Sequence, residues 1–594
     1  MEQDVQKLGF KCGVEIHQQL MTRRKLFCRC PAGLYSKEHH AEVLRHMRPT
    51  LSEMGVYDGC ALMEYKTKKE IVYLLNKESV CTYEMDDTPP FPIDDEALDI
   101  SIELALLCGC SIVDELHIAR KQYLDGSIPT GFQRTGIVGI NGDIPFEGGE
   151  IGISHFSIEE DSCREVSDSG HFIHFRTDRL GMPLIEVVTT ACFKSPEQAA
   201  RGVRHIGRLL RATGKVRRGL GAARQDVNVS IGGGSRVEIK GVPRYQLIPA
   251  LTRIEALRQK ALLEIRDELA GRGITPQNLK TEEIDITDEL RNSCSPILAE
   301  AVKRGHRIQG IMIEGAAGIL NTPTQPGRMF ASELSGRVRV IACLDSIPNL
   351  FHTDNYPEYR RNHIDMRAIR LALNLRPDDV GVIVWGPQRD IATATHEIRD
   401  RMKEACVGVP CETRQHLRDG LTDFERILPG ADRMYPDTDH PPVKLTKGRV
   451  EAIREGLPEP TYEVEKRFRG YGLPEDTIKD LALSDRIALI DELAEAGVDM
   501  KVAGRLLGQT TRSLSRQGVD TSSIPSERWA EVIKACERKR MRAKLFEDAI
   551  RRIACDPELP VSEIVDSLSE DDLGPGPARA EGAGPQQARR PNRR

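Results

Sequence analysis

In residues 10–20, FKCGVEIHQQL, apolar and polar positions alternate: Val14 and Ile16 share one face, and Glu15, His17 and Gln19 the other. A period of two with one apolar face predicts a half-buried strand. The alternation returns in RQDVNVSI (224–231), where Val227, Val229 and Ile231 oppose Asp226, Asn228 and Ser230. It returns again in RVEIK (236–240), where Val237 and Ile239 oppose Arg236, Glu238 and Lys240. The glycines at 232–234 join these two as a hairpin. Residues 137–161 read as further strands, with Asn141-Gly142 as the hairpin signal. Three of these strands carry an acid on the polar face: Glu15, Asp226 and Glu238. A solvated face would mix Thr, Lys and Glu. A face that gathers acids with His17, Asn228 and one lysine reads as the floor of a metal–phosphate cradle, the plain alternative being an exposed antiparallel sheet.

Helical spacing marks EALDISIELALLCGC (96–110), which stops at glycine. In 195–216, Ser195 is a natural N-cap, Pro196 sits at the first helical position and Gly214 closes the helix. A long charged helix is predicted over 245–273. The texture then changes: RIQGIMIEG (307–315) and GVIVWG (381–386) are strands of what reads as a separate α+β domain. Residues 411–442 read as irregular backbone returning to the first domain. The predicted organisation is an α+β multidomain chain. A largely antiparallel-sheet cradle domain (1–279 and 406–445) receives an inserted domain (280–405). A helical domain (446–515), a helical tail domain (516–570) and a disordered, low-complexity end (571–594) follow.

Composition narrows the class. With 594 residues, 39% hydrophobic and 29% charged, the chain has the make-up of a soluble protein with several cores. A net charge of −6 argues against indiscriminate nucleic-acid coating and leaves room for a local basic patch. Residues 526–554 are such a patch, with Lys534, Arg538, Arg542 and Lys544. They form either a solvated helix face or a contact to RNA phosphates. No run approaches the ~20 apolar residues of a membrane span, and MEQDVQKLGF lacks a signal peptide's apolar core. Fifteen scattered cysteines suit a reducing cytoplasm. Cys28 and Cys30 form a tight pair, but Cys81 and Glu84 make only half of a second one, so zinc is not expected.

The acids carry the chemistry. HFSIEEDSCREV (155–166) and DRLGMPLIEVVTT (178–190) place Glu159, Glu160, Asp161 and Glu186 in or beside strand-like sequence. Carboxylates so gathered repel unless a cation separates them. Mg²⁺ takes oxygen ligands and commonly holds a substrate phosphate as well. The loop KQYLDGSIPTGFQRTG (121–136) adds Lys121, Gln133 and Arg134. Arg224 and Lys240 either meet phosphate or pair with Asp226 and Glu238.

VEIHQQL, FQRTG, GIS-H-FSIEED, DR-GMPLIEVV, R-DVNVSI, VEIKG and MYPDTDHPP, in this order, resemble the B/E subunit family of tRNA-dependent amidotransferases. The layout resembles the archaeal E branch, which carries a domain at the position of 280–405. The resemblance implies an ATP-dependent ligase. In it, the γ-carboxylate of glutamate mischarged on tRNA(Gln) is phosphorylated, and ammonia then displaces the phosphate to give Gln-tRNA(Gln). It implies an asparaginase-like D subunit as the ammonia source, a D2E2 heterotetramer, tRNA binding by the tail and a cytoplasmic location. Carried over residue by residue, it makes His17, Glu160 and Glu186 the Mg²⁺ ligands. It makes Glu15, Asp226 and Glu238 further acids of the same site, and leaves Arg224, Lys240 and Gln133 to the substrate. Gln19 stands where bacterial B subunits commonly have an acid. Family members with zinc have a cysteine where this chain has Glu84. The rival readings are a non-catalytic tRNA-binding subunit and, on 280–405 alone, a relative of aspartyl-tRNA synthetases.

Overall fold

The computed structural model describes residues 2–355, 360, 366–522, 524–538, 543–556 and 559–568. The chain forms two compact units, residues 1–458 and 459–594. The architecture is multidomain α+β, with antiparallel sheets in the first unit and helices at the C-terminal end.

The first unit is built on one large sheet. Its strands, in chain order, are β1 (Lys11–Gln19), β2 (Ile118–Gln122), β3 (Phe132–Phe146), β4 (Gly149–Glu160), β5 (Pro183–Thr189), β6 (Ala223–Ser230), β7 (Val237–Val242), β8 (Glu412–His416), β9 (Thr422–Ile427) and β10 (Met434–Pro436). They lie side by side as β9-β8-β7-β6-β1-β5-β4-β3-β2-β10, with Ser111–Ile112 added beside β3. The apolar face predicted by alternation is buried: Val14, Ile16, Val227, Val229, Val237 and Ile239 are all at most 2% exposed. Helices α1 (Asp95–Leu107), α2 (Pro196–Arg211) and α3 (Ile248–Gly271) pack on the sheet. Ser195 caps α2 by accepting from Gln198 N, 3.2 Å away. The sheet is strongly curled. Lys240 of β7 lies 5.8 Å from the ring centroid of Tyr123, which follows β2, although five strands lie between β7 and β2.

Residues 280–405 contribute a four-stranded antiparallel sheet of Thr281–Asp285, Arg307–Ile313, Val380–Gly386 and Leu350–His352. Helices α4 (Ala331–Ile341) and α5 (Gln388–Val407) pack in a common core with Leu262, Ile265 and Leu269 of α3. The helix Lys447–Glu455 is tied to α1 by Arg449, whose Nε is 2.6 Å from Asp99.

Two local expectations are corrected. The β3–β4 hairpin turns at Glu147-Gly148, both with positive φ (49° and 79°), and not at Asn141-Gly142. Gly142 sits inside β3, where a Cβ would come within 2.5 Å of the Cys108 carbonyl oxygen; it permits a close approach to the end of α1. Residues 412–427 are not irregular: β8 and β9 form an antiparallel pair, and β8 joins β7 in parallel. Their apolar alternation is masked because Glu412 and Arg414 are themselves buried, at 0% and 1% exposure.

The second unit has short helices from Thr461 to Ser567 around an apolar core that includes Phe468, Ile490, Leu514, Trp529 and Ile550. In it, α6 (Ser526–Arg538) and α7 (Ala543–Cys555) carry most of the described basic patch. Lys534 is half-buried, and Arg538 and Lys544 are exposed. Arg542 and the end beyond Leu568 lie outside the described residues. No helix among the described residues is long and apolar enough to cross a membrane. No disulfide joins any of the described cysteines.

Candidate active site

Residues directly opposite each other in adjacent strands share a face. On β1, Glu15 lies opposite Val188 and Asp226, and His17 opposite Glu186 and Arg224. The same face continues through Glu186–Ser157, Thr135–Glu159 and Lys121–Gln133 on one side, and through Asn228–Glu238 on the other. Lys240 follows two residues after Glu238. The curl of the sheet therefore gathers Glu15, His17, Asp226, Glu238, Glu186, Glu159 and Lys121 onto one surface. That surface is not solvated: His17, Glu186, Asp226 and Glu238 are each 5–8% exposed.

At its centre, one donor atom each from Glu15, His17 and Glu186 lies within 4.8 Å of the others. His17 Nε2 is 3.4 Å from Glu186 Oε1 and 3.9 Å from Asp226 Oδ2. Neither ring nitrogen of His17 makes a hydrogen bond, although both are buried. The acids around it are held in place. Ser157 Oγ donates to Glu186 (3.0 Å), Asn228 Nδ2 to Glu15 (3.0 Å) and the Gly241 amide to Asp226 (2.7 Å). Burial, then the charges of Glu186, Glu238 and Asp226, push the Glu15 carboxyl up to about 8. Burial would raise Glu186 too, but Lys121 and then His17 outweigh it and hold that carboxyl well below the usual range. Among the described residues, Lys121 is the ammonium paired into these acids: it bonds Glu159 and lies 3.6 Å from Glu186. An excess of fixed carboxylates and a buried, unbonded imidazole are a donor set that fits a divalent cation.

Glu160 does not join this group. Neighbouring strand residues point to opposite faces, so Glu159 enters the cradle while Glu160 faces away. Its carboxylate accepts from Tyr83 OH (2.5 Å) and from the Arg134 amide (3.0 Å). Arg134 in turn donates to Asp437 (2.6 Å) and Asp439 (2.9 Å), and His440 lies 3.1 Å from Asp437. This second cluster fastens the segment after β10 to β3. Arg224 pairs with Asp161 (2.8 Å) and not with Asp226. Gln133 donates to the Glu159 carboxylate (3.2 Å) and to the Glu160 carbonyl (2.7 Å). Gln19 donates to Asp161 (2.7 Å) and accepts from Tyr35 (3.2 Å).

With this geometry in hand, comparison with known proteins decides the family. A family model for the GatB/GatE catalytic domain matches residues 10–451. The chain belongs to the GatB/GatE family. It is 37% identical to the E subunit of the glutamyl-tRNA(Gln) amidotransferase of Methanocaldococcus jannaschii over 571 residues, 95% of this chain and 90% of the relative. It is 39% identical to the protein of that name from Sulfurisphaera tokodaii over 557 residues, covering 93% and 87%. With the Methanococcus maripaludis C7 protein of that name, identity is 37% over 569 residues, covering 95% and 89%.

The GatB/GatE match spans every strand of the large sheet, from Lys11 to Pro436. Sequence reading counted Glu159 among the gathered acids and Lys121 among the groups of the adjoining loop, but assigned neither of them a role in the site. Strand parity within Glu159-Glu160-Asp161 was the available signal for the first. The Lys121–Gln133 pairing, hidden in what read as a loop, governs the second. The structure also brings Cys28, Cys30, Cys81 and Glu84 together, with one donor atom each within 4.8 Å. There Glu84 is already engaged by Lys25 Nζ (2.6 Å) and the Cys81 amide (3.2 Å).

Proposed function

We propose that this chain, as a GatB/GatE subunit, activates the γ-carboxylate of glutamate on tRNA(Gln) with ATP and converts it to the amide with ammonia. The single observation that carries the reading is the meeting of Glu15, His17 and Glu186 on a concave face lined by further acids. A carboxylate expels oxide or hydroxide too poorly to be amidated directly. Phosphorylation turns the leaving group into phosphate, and that transfer needs positioning and charge neutralisation more than a covalent catalyst.

Glu15, His17 and Glu186 would hold Mg²⁺, which supplies charge neutralisation for the phosphates. Ser157 and Lys121 orient Glu186, and Asn228 orients Glu15. Asp226, fixed by the Gly241 amide, and Glu238 provide carboxylates for the proton released when ammonia becomes amide nitrogen. The ammonia is supplied by a D subunit, and the basic faces of α6 and α7 contact the tRNA.

The test is incubation of the purified chain with Glu-tRNA(Gln), ATP, Mg²⁺ and ammonium chloride. Gln-tRNA(Gln) and ADP should form together. Absence of both products from a chain that still binds tRNA would overturn the reading in favour of a non-catalytic tRNA-binding subunit.

A further inference from the structure

Three cations surround one aromatic ring at the edge of the cradle. Lys240 Nζ lies 5.8 Å from the Tyr123 ring centroid, the Arg426 guanidinium 5.3 Å and the Arg433 guanidinium 5.0 Å. They come from β7, β9 and the turn before β10, elements far apart in the sequence. Arg426 is buried and paired with Glu64 at 3.1 Å, so it belongs to the framework. Lys240 and Arg433 are different. Each is only partly buried, and neither side chain makes a hydrogen bond or ion pair with any described residue. Each stacking contact is worth only ~0.5–2 kcal/mol. Like charges gathered around one ring favour an anion between them. Glu425, Glu238 and Asp226 act on Lys240 through space, and Glu238 on Arg433, but none forms an ion pair with either side chain, so both keep donors open to a phosphate beside the acids.

We propose that Lys240 and Arg433, held in position by Tyr123, are the anion clamp of the cradle and grip the polyphosphate of a nucleotide. The site is thus split by charge: acids for a cation on one side, unpaired cations for phosphate oxygens on the other. Tyr123 is a positioning residue, since its ring keeps two long flexible side chains where a phosphate can bridge them. This assignment rests on the ATP reading given above, and to the lysine that the sequence already offered to phosphate it adds Arg433 and Tyr123.

The experiment is calorimetric binding of tripolyphosphate, ATP and adenosine to the full chain and to Lys240→Gln, Arg433→Gln, Arg433→Lys, Tyr123→Phe and Tyr123→Leu, each first checked for a wild-type melting curve. Both Gln variants should weaken tripolyphosphate and ATP by about tenfold each and leave adenosine unchanged. Arg433→Lys should recover part of the loss. Tyr123→Phe should bind as wild type, and Tyr123→Leu should weaken. Undiminished tripolyphosphate binding in both Gln variants overturns the clamp, whatever the amidation assay shows. A second arm uses a short RNA ending in CCA: loss of RNA binding with tripolyphosphate unaffected would move the cations to a nucleic-acid backbone and overturn the assignment. Clamp-dependent tripolyphosphate binding in a chain that cannot amidate Glu-tRNA(Gln) would keep the clamp and remove the function.

Discussion

Two regions of the first unit bury many charges, and they bury them differently. Between α3, α4, α5 and β8, Arg258 bonds Glu255 (2.9 Å), Glu333 (2.8 Å) and Glu412, and Arg414 bonds Glu333 (3.2 Å), Glu412 (2.6 Å) and Thr422 (2.8 Å). Arg401 adds a 3.6 Å pair with Glu333. There, burial pushes Glu333 up, but Arg258 and Arg414 outweigh it and hold the carboxyl well below its usual range. In the cradle the sum does not close: Glu15 is driven up to about 8, and His17 is buried without a hydrogen bond. The first network pairs its acids with arginines even though the Arg401 guanidinium nitrogens make no hydrogen bond, and such pairing holds a fold together; the cradle leaves acids in excess, a balance that favours a bound cation.

The comparison breaks most sharply at Glu333. Glu333→Gln uncovers Arg258 and Arg414 and should cost about 3–5 kcal/mol of stability, read as a lowered urea midpoint. Folded molecules should keep their amidation rate. Glu186→Gln should do the reverse, lowering amidation by on the order of 100-fold with little loss of stability. Equal losses of stability in both variants would erase the distinction.

Glu160→Gln sharpens the boundary of the cradle. It weakens the bonds to Tyr83 and Arg134 and should cost about 1–3 kcal/mol, with the Mg²⁺ dependence of activity unchanged. A shifted Mg²⁺ requirement would return Glu160 to the cation site.

The pH dependence follows from Glu15. Its folded carboxyl titrates near 8, against 4.5 unperturbed, so between these values the folded state holds a proton that the unfolded state has lost. Stability from this group is therefore fully present below about pH 4.5 and lost as pH rises through about 8. In chain stripped of divalent cations, the urea midpoint should fall across that window, and Glu15→Gln should flatten the fall. The smallest effect is expected in the second unit. Lys544→Ala should reduce the salt slope of tRNA binding by about 1.

Much of the cradle was legible in the sequence because β-alternation is strict. Val14, Ile16, Val227 and Val229 announce the buried face, and Glu15, His17 and Asp226 must then share the other. Within Glu159-Glu160-Asp161 that rule was not used: Glu160 was taken from the family resemblance, where strand parity would have chosen Glu159. What sequence could not display depends on the curl. Nothing local brings Lys240 to Tyr123 across five strands. Nor does any local pattern show that Glu412 and Arg414 are strand residues, since their burial depends on partners in α3 and α4. The hairpin was misplaced for a related reason: Gly142 answers to the end of α1, not to a turn.

The central claim is that the imbalance at Glu15, His17 and Glu186 is kept for a divalent cation. The most direct measurement is the melting temperature of the purified chain during Mg²⁺ titration, for wild type and for His17→Ala. Binding to the folded state alone should raise the wild-type value, by up to about 2.7 kcal/mol of stabilisation at 100 times the dissociation constant, and leave His17→Ala nearly unmoved. An identical rise in both proteins, or none in wild type, would contradict the account.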